Sequence, residues 1–515
     1  MSLLTPENHT AIENLKSSYE KLSSFSKFIF PSAVSSALNN YKPEKPLTAH
    51  QVFHAFSNQT WFFQRWFISC LYIFSKANKP KPLNAFVFDL LTLFEQLPAD
   101  TTMINLNDNY IIPFRLVSPS VIDNHGSRQN GENVAAALQG LPKSITTIDL
   151  NNITWALKEP SELPLALQSL PRNLRSLNLS SNLFGSKNRD MPHIDRLVAA
   201  FKALPKNLID IDLSFNFVGF PGRYLSLILG ALPQGIKSIN LSHNLFGLHD
   251  NRAWLIESLK KIPDSVRSIN LSNNFISRNI FNLEETLAAL PQKLTSLNLS
   301  AGVLNAIRLD VNGLPMDKKT IGNIIAQAFL KLPPTIQSLD LSNNGFDYPI
   351  DYDLSAVFKN LPRDISFLEF SNNNLGFDPA RAREEGLGKL LAAALKALPP
   401  SLKTLDLSEN NLNYLTADIL PDLKDSLPHI KTLWLSYEEV DKMERGQLLA
   451  IMQMLPESSQ IKLKDSNNKG VHFPEVLRRK KMATTLQATA AFFVQQYVNS
   501  KEIVLPDYLR VASAL

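Results

Sequence analysis

From Leu97 to residue 468 the chain repeats one alternation of apolar and polar positions. In Ser176-Leu-Asn-Leu-Ser180 the alternation has the period of a half-buried strand. Leu177 and Leu179 then face a core, with Leu174 opening the same inward set. Ser176, Asn178 and Ser180 face the other way, and Asn182 follows at a fixed offset. A buried asparagine there bonds backbone groups of adjacent turns that otherwise lack partners. The next apolar set, Ile194, Leu197, Val198, Phe201 and Leu204, steps by three, one, three and three, which predicts a helix. Pro205 ends that helix, because proline has no N–H and disfavours helix at the residue before it.

The whole phrase Leu170-Pro-Arg-Asn-Leu-Arg-Ser-Leu-Asn-Leu-Ser-Ser-Asn182 returns as Leu204-Pro-Lys-Asn-Leu-Ile-Asp-Ile-Asp-Leu-Ser-Phe-Asn216 and again as Leu398-Pro-Pro-Ser-Leu-Lys-Thr-Leu-Asp-Leu-Ser-Glu-Asn410. The marker prolines, from Pro98 to Pro456, most often stand 28 to 30 residues apart. Each unit is a strand, a turn and a helix, and one alone cannot bury its apolar face. Stacking places the strands side by side in a parallel sheet and the helices outside. Helices are wider than strands, so the expected stack curves into a horseshoe with a concave sheet.

The spelling Leu-x-x-Leu-x-Leu-x-x-Asn resembles the leucine-rich repeat, and the long helical unit resembles its ribonuclease-inhibitor subtype. The resemblance implies an α/β solenoid of about 12 repeats over residues 97–468. Departures mark its ends and one interior unit: Thr101 replaces the first leucine, and Ile153 and Gly302 replace the asparagine. The units at Pro428 and Pro456 are one residue short before the strand.

Residues 1–96 lie outside the repeat and read as helices, with Trp61-Phe-Phe-Gln-Arg-Trp-Phe-Ile-Ser-Cys-Leu-Tyr-Ile-Phe74 as their most aromatic run. That run is too short to span a bilayer and is interrupted by Gln64 and Arg65. It is expected to cover the first repeat as a helical cap. Residues 469–515 read as a closing helical cap and tail, with Arg478-Arg-Lys-Lys481 as a solvated basic run. Four repeats carry extra residues between strand and helix, at 109–132, 186–192, 306–319 and 378–385.

Composition narrows the partners. A net charge of +5 over 515 residues gives no reason to expect nucleic acid or an anionic membrane. Cys70 is the single cysteine, so no internal disulfide forms, and the first residues lack a basic segment followed by an apolar one. A reducing compartment without a signal peptide is expected. Catalytic signatures fail on inspection. Gly386-Leu-Gly-Lys389 lacks the upstream glycine and the following Ser or Thr of a phosphate loop. His50 and His54 share a helix face, but Gln51 stands where a zincin glutamate would. Cys70 is followed by Leu71 and Tyr72, unlike the Cys-x-Asp of bacterial ubiquitin ligases that carry such repeats. No enzyme, metal or other cofactor is expected.

What remains is a surface. Most repeats place serine and asparagine or aspartate at the outward strand positions. The exceptions are Phe215, His243, Phe367, Glu369, Asp406, Glu409, Trp434 and Tyr437, and these are the candidate protein-binding residues. Neighbouring repeats show what the fold alone would use there. The repeat wording also resembles leucine-rich-repeat effectors of Legionella-type intracellular bacteria. That resemblance implies a virulence protein delivered into a host cell by a type IV secretion system, and binding of a host protein. An adaptor that recruits a host complex such as a ubiquitin ligase through its N-terminal helices is the alternative; membrane attachment through residues 61–74 is a third.

Overall fold

In a computed structural model, the described residues are 101–105, most of 135–464, and isolated positions at either end. The main omissions within that span are 152–162, 185–193, 247–252, 277–282, 302–316, 347–352 and 377–385. The expected N-terminal cap, the aromatic run at 61–74, almost all of the insertions and nearly all of residues 469–515 therefore lie outside the described residues. The chain forms two compact units: Met1–Asn216 with Ala231–Ile236, and Phe217–Gly230 with Lys237–Leu515.

Among its described residues the first unit holds four strands, β1 (Met103–Asn105), β2 (Thr147–Asp149), β3 (Ser176–Asn178) and β4 (Asp210–Asp212). They pair in parallel and in phase, so Ile104, Ile148, Leu177 and Ile211 form one column. Helices α1 (Leu163–Gln168) and α2 (Ile194–Lys202) return the chain between strands. On α2 the buried residues are Leu197, Ala200 and Phe201. Of the apolar set that the spacing marks on this helix, Leu197 and Phe201 are buried and Ile194 and Val198 half-buried, and Phe201 meets Phe184 edge to face at 5.7 Å.

The second unit repeats the arrangement. Its strands are β5 (Ser238–Asn240), β6 (Ser268–Asn270), β7 (Ser296–Asn298), β8 (Ser338–Asp340), β9 (Phe367–Glu369), β10 (Thr404–Asp406), β11 (Thr432–Ser436) and β12 (Gln460–Lys464). All pair in parallel with the same register, and β13 (Gly470–Val471) closes the edge antiparallel to β12. Helices α3 (Ala253–Leu259), α4 (Leu283–Ala288), α5 (Lys318–Phe329), α6 (Leu354–Lys359) and α7 (Leu387–Lys396) pack in sequence beside it. After β10 the helix gives way to two short 3-10 turns, Leu412–Tyr414 and Leu420–Leu423. Helices α8 (Tyr437–Lys442) and α9 (Arg445–Gln453) follow β11.

Buried asparagines bind successive turns, as the sequence pattern requires. Asn182 donates from Nδ2 to Leu179 O (2.9 Å) in its own repeat and to Leu150 O (3.0 Å) in the one before. The backbone N–H of Asn182 in turn donates to Oδ1 of Asn216 (2.8 Å). The second unit repeats the wiring through Asn244 and Asn274, and through Asn344, Asn373 and Asn410. Beyond Asn410 the next repeat carries Glu438 at the corresponding position, and Glu439 takes over. Its Oε1 accepts from the backbone N–H of Asn411 at 2.7 Å. Glu439 is buried and its Oε2 has no hydrogen-bond partner. Burial pushes its carboxyl up to about 7; the backbone N–H groups of Asn411 and Leu412 pull the other way, and the Glu409 charge adds to the rise.

Candidate functional site

A second set of bonds explains the small polar residues on the strands. Asn178 Oδ1 accepts from both the N–H and the Oγ of Ser180, at 2.9 and 2.7 Å. Asp212 with Ser214, Asp340 with Ser342, and Asp406 with Ser408 do the same. Where a strand ends in one of these Asn or Asp residues, its side chain thus closes the turn behind it, which is why these residue types dominate there.

That role separates the candidate residues. Asp406 departs less from the repeat than its sequence context suggests: it closes its turn like Asp212 and Asp340 and is 0% exposed. Phe215, His243 and Glu409 occupy another shared position, the residue before the buried asparagine, where φ is 56°, 56° and 58°. Ser181, Asn273, Asn343 and Asn372 hold the same left-handed conformation in their repeats. Phe215 lies in the first unit and is 46% exposed. His243 follows β5, and burial lowers its pKa. Five inter-strand steps of the second unit separate it from Glu409, a span of about 24 Å at ~4.8 Å per step. Tyr437 opens α8, half-buried.

The structure brings together Phe367, Glu369, Asp406 and Trp434, on the three neighbouring strands β9, β10 and β11. The register aligns Asp340, Glu369, Asp406, Trp434 and Lys462 in one row, with Phe367 beside Thr404 in the next. Two residues that the sequence pattern did not single out complete the group. Lys464 sits opposite Ser436. Its ammonium reaches back to pair with Asp406, and it stands 3.6 Å from Glu369. The small Ser436 leaves that path open. Lys462 is exposed, and its ammonium lies 5.3 Å from the centre of the Trp434 ring, with that of Lys464 at 5.7 Å.

The electrostatics follow from this packing. Burial, together with the charges of Asp340 and Asp406, raises Glu369 above the usual carboxylate range, and Lys464 offsets part of the rise. Burial lowers Lys464, but Asp406 and Glu369 outweigh it, so its pKa lies above the ordinary lysine value. The acids are therefore met from within the chain. What the face offers outward is the half-buried Phe367 and Trp434 and the exposed Lys462, on a sheet otherwise lined by Ser, Thr and Asn. No group of three His, Cys, Asp or Glu able to hold a metal occurs among the described residues. No described helix is long and apolar enough to cross a membrane.

The Leucine Rich Repeat family model matches residues 401–424, which include β10 and its turn. The leucine-rich repeat-containing protein LegL7 of Legionella pneumophila has a similar structure. Its TM-score is 0.49 and its identity 23%, covering 78% of this chain and 99% of that one. No curated protein matches the chain. The repeated strand, turn and helix, in constant register with buried asparagines between turns, make the fold a leucine-rich-repeat solenoid.

Proposed function

We propose that this chain is a non-enzymatic protein-interaction scaffold that docks a host protein on the sheet face of β9 to β12. The observation that carries the reading is the local break in a repeated surface. Eight described strands of one unit share a register, and only β9, β11 and β12 break the Ser/Thr and Asn/Asp pattern, with Phe367, Glu369, Trp434 and Lys462. A leucine-rich-repeat sheet is a preformed surface, so docking needs little backbone ordering. Binding energy concentrates in a few aromatic and charged anchors set in such a surface. Trp434 and Phe367 supply the anchors, and Lys462 supplies an exposed charge beside them. The resemblance of the repeat wording to effectors of Legionella-type bacteria supports the finer reading. In that reading the protein is delivered into a host cell by type IV secretion and acts there in virulence.

The test uses the full chain as bait in host-cell lysate, with Trp434→Ala and Phe367→Ser alongside and Ser268→Ala on β6 as control. A true partner is retained by wild type and Ser268→Ala. Its measured affinity falls by about 2 kcal/mol in Trp434→Ala. A captured protein that binds all four chains alike would sink the assignment of this face.

A further inference from the structure

The turns that lead into the strands differ between the two units in a way the fold does not require. After three successive marker prolines of the first unit, Pro142, Pro171 and Pro205, stands a cation: Lys143, Arg172 and Lys206. Arg175 adds a fourth just before β3, a place where the second unit also carries cations, Lys237, Arg267 and Lys403. The residues after the marker prolines of the second unit are Asp264, Gln292, Pro334, Arg363, Pro400, His429 and Glu457, with Arg363 the one arginine or lysine among them, so the repeat itself has no need of a positive charge there. All four cations are exposed, and none makes an ion pair with a described residue. Among the described acids of these repeats, Asp149, Asp210 and Asp212 stand on the strands and Asp195 in the first turn of α2.

Lys143 and Arg175 line an open groove of about 550 Å³ with Ser144, Thr146, Asn173, Asn207 and Ile209. The neutral side chains there are already oriented. Ser144 Oγ donates to Thr101 O (2.6 Å) and Thr146 Oγ1 to Thr102 O (3.3 Å). Asn173 donates from Nδ2 to Lys143 O (3.1 Å) and Asn207 from Nδ2 to Arg172 O (3.2 Å). Those two bonds fix the amide orientation and leave each Oδ1 as an acceptor in an exposed side chain. The groove thus presents cations and hydrogen-bond acceptors together, repeated from one turn to the next.

We propose that this groove binds an extended acidic segment of a protein partner, separately from the sheet face of the second unit. Carboxylates meet Lys143 and Arg175, the arginine being suited to a two-pronged contact. Backbone N–H groups of the segment donate to Asn173 and Asn207. A phosphate-bearing ligand satisfies only half of this lining, since it accepts but does not donate. The turns follow the strand spacing of ~4.8 Å, so three of them span about 10 Å, the reach of three or four extended residues at ~3.3 Å each.

The test measures fluorescence anisotropy of a labelled peptide of alternating glutamate and serine, about eight residues long, with the full-length chain. Wild type is expected to bind it, with affinity falling as salt rises. Lys143→Glu and Arg175→Glu should each weaken binding about tenfold. Lys403→Glu, in the second-unit position that corresponds to Arg175, should leave it unchanged. Asn207→Ala should weaken the peptide severalfold and leave competition by tripolyphosphate unaltered. Melting temperatures check that the variants fold, and Arg175→Gln replaces Arg175→Glu if the latter melts early. No binding by wild type overturns the proposal, as does an equal loss in Lys403→Glu. Tripolyphosphate that competes better than unlabelled peptide, with Asn207→Ala silent, overturns it in favour of an oxyanion site.

Discussion

Glu439 should make the stability of the second unit depend on pH near neutrality, and in the direction opposite to an ordinary salt-bridged carboxylate. Its carboxyl rises from an ordinary 4.5 to about 7 in the folded chain. The folded state therefore holds its proton more tightly than the unfolded state across that interval. The penalty for ionising it in place is fully present above about pH 7 and vanishes as pH falls towards the unfolded value. About 2.5 units at 1.36 kcal/mol each come to about 3 kcal/mol. Glu439→Gln keeps an acceptor for the N–H of Asn411 and removes the titration. The assay is urea unfolding followed by circular dichroism, from about pH 8 to about pH 5. Repeat arrays need not unfold in one step, so the quantity compared is the shift of the last transition between wild type and variant. Taking that difference cancels the other titrating groups. The variant should be more stable near pH 8, and the gap should shrink to under about 1 kcal/mol near pH 5. A difference that does not change with pH, or a variant that is weaker at the alkaline end, would refute the assignment of a buried, unpaired carboxylate.

Lys464→Met leaves Asp406 buried without its counter-ion, and about 3 kcal/mol of stability should be lost; an unchanged urea midpoint would show that water reaches Asp406. Phe215→Asn relieves a bulky side chain held at φ 56°. It should stabilise by about 1 kcal/mol, and a lower melting point would mean that the ring's packing outweighs the strain.

The leucine columns, the proline stops and the asparagine spine were legible because repetition averages out each repeat's own accidents. Single positions were harder to read. Asp406 looked like an exception, although Asp212 and Asp340 hold the same place and the same bond to the serine two residues on. Phe215, His243 and Glu409 were read as sheet residues. Their common left-handed backbone was hidden, though the asparagines at 273, 343 and 372 were a signal of it. The spacing of the last repeat carries no mark of Lys462 and Lys464. Compared column by column, they stand where other strands carry Asn or Asp and Ser. That Lys464 crosses a neighbouring strand to reach Asp406 is a matter of side-chain length and of a small residue in between, and no periodicity encodes it.

The asparagine wiring has a direction. Each of these side chains closes the backbone of the repeat before it: Asn216 serves the N–H of Asn182 and the carbonyl of Leu179, and Asn373 serves Asn344 and Leu341. A ribosome delivers the repeats in the same order. A newly emerged turn therefore keeps open bonding groups until its successor arrives, and closure trails synthesis by one repeat. A chain halted at any point carries a single unfinished turn at its growing end, and that turn is where a chaperone or a protease would meet it.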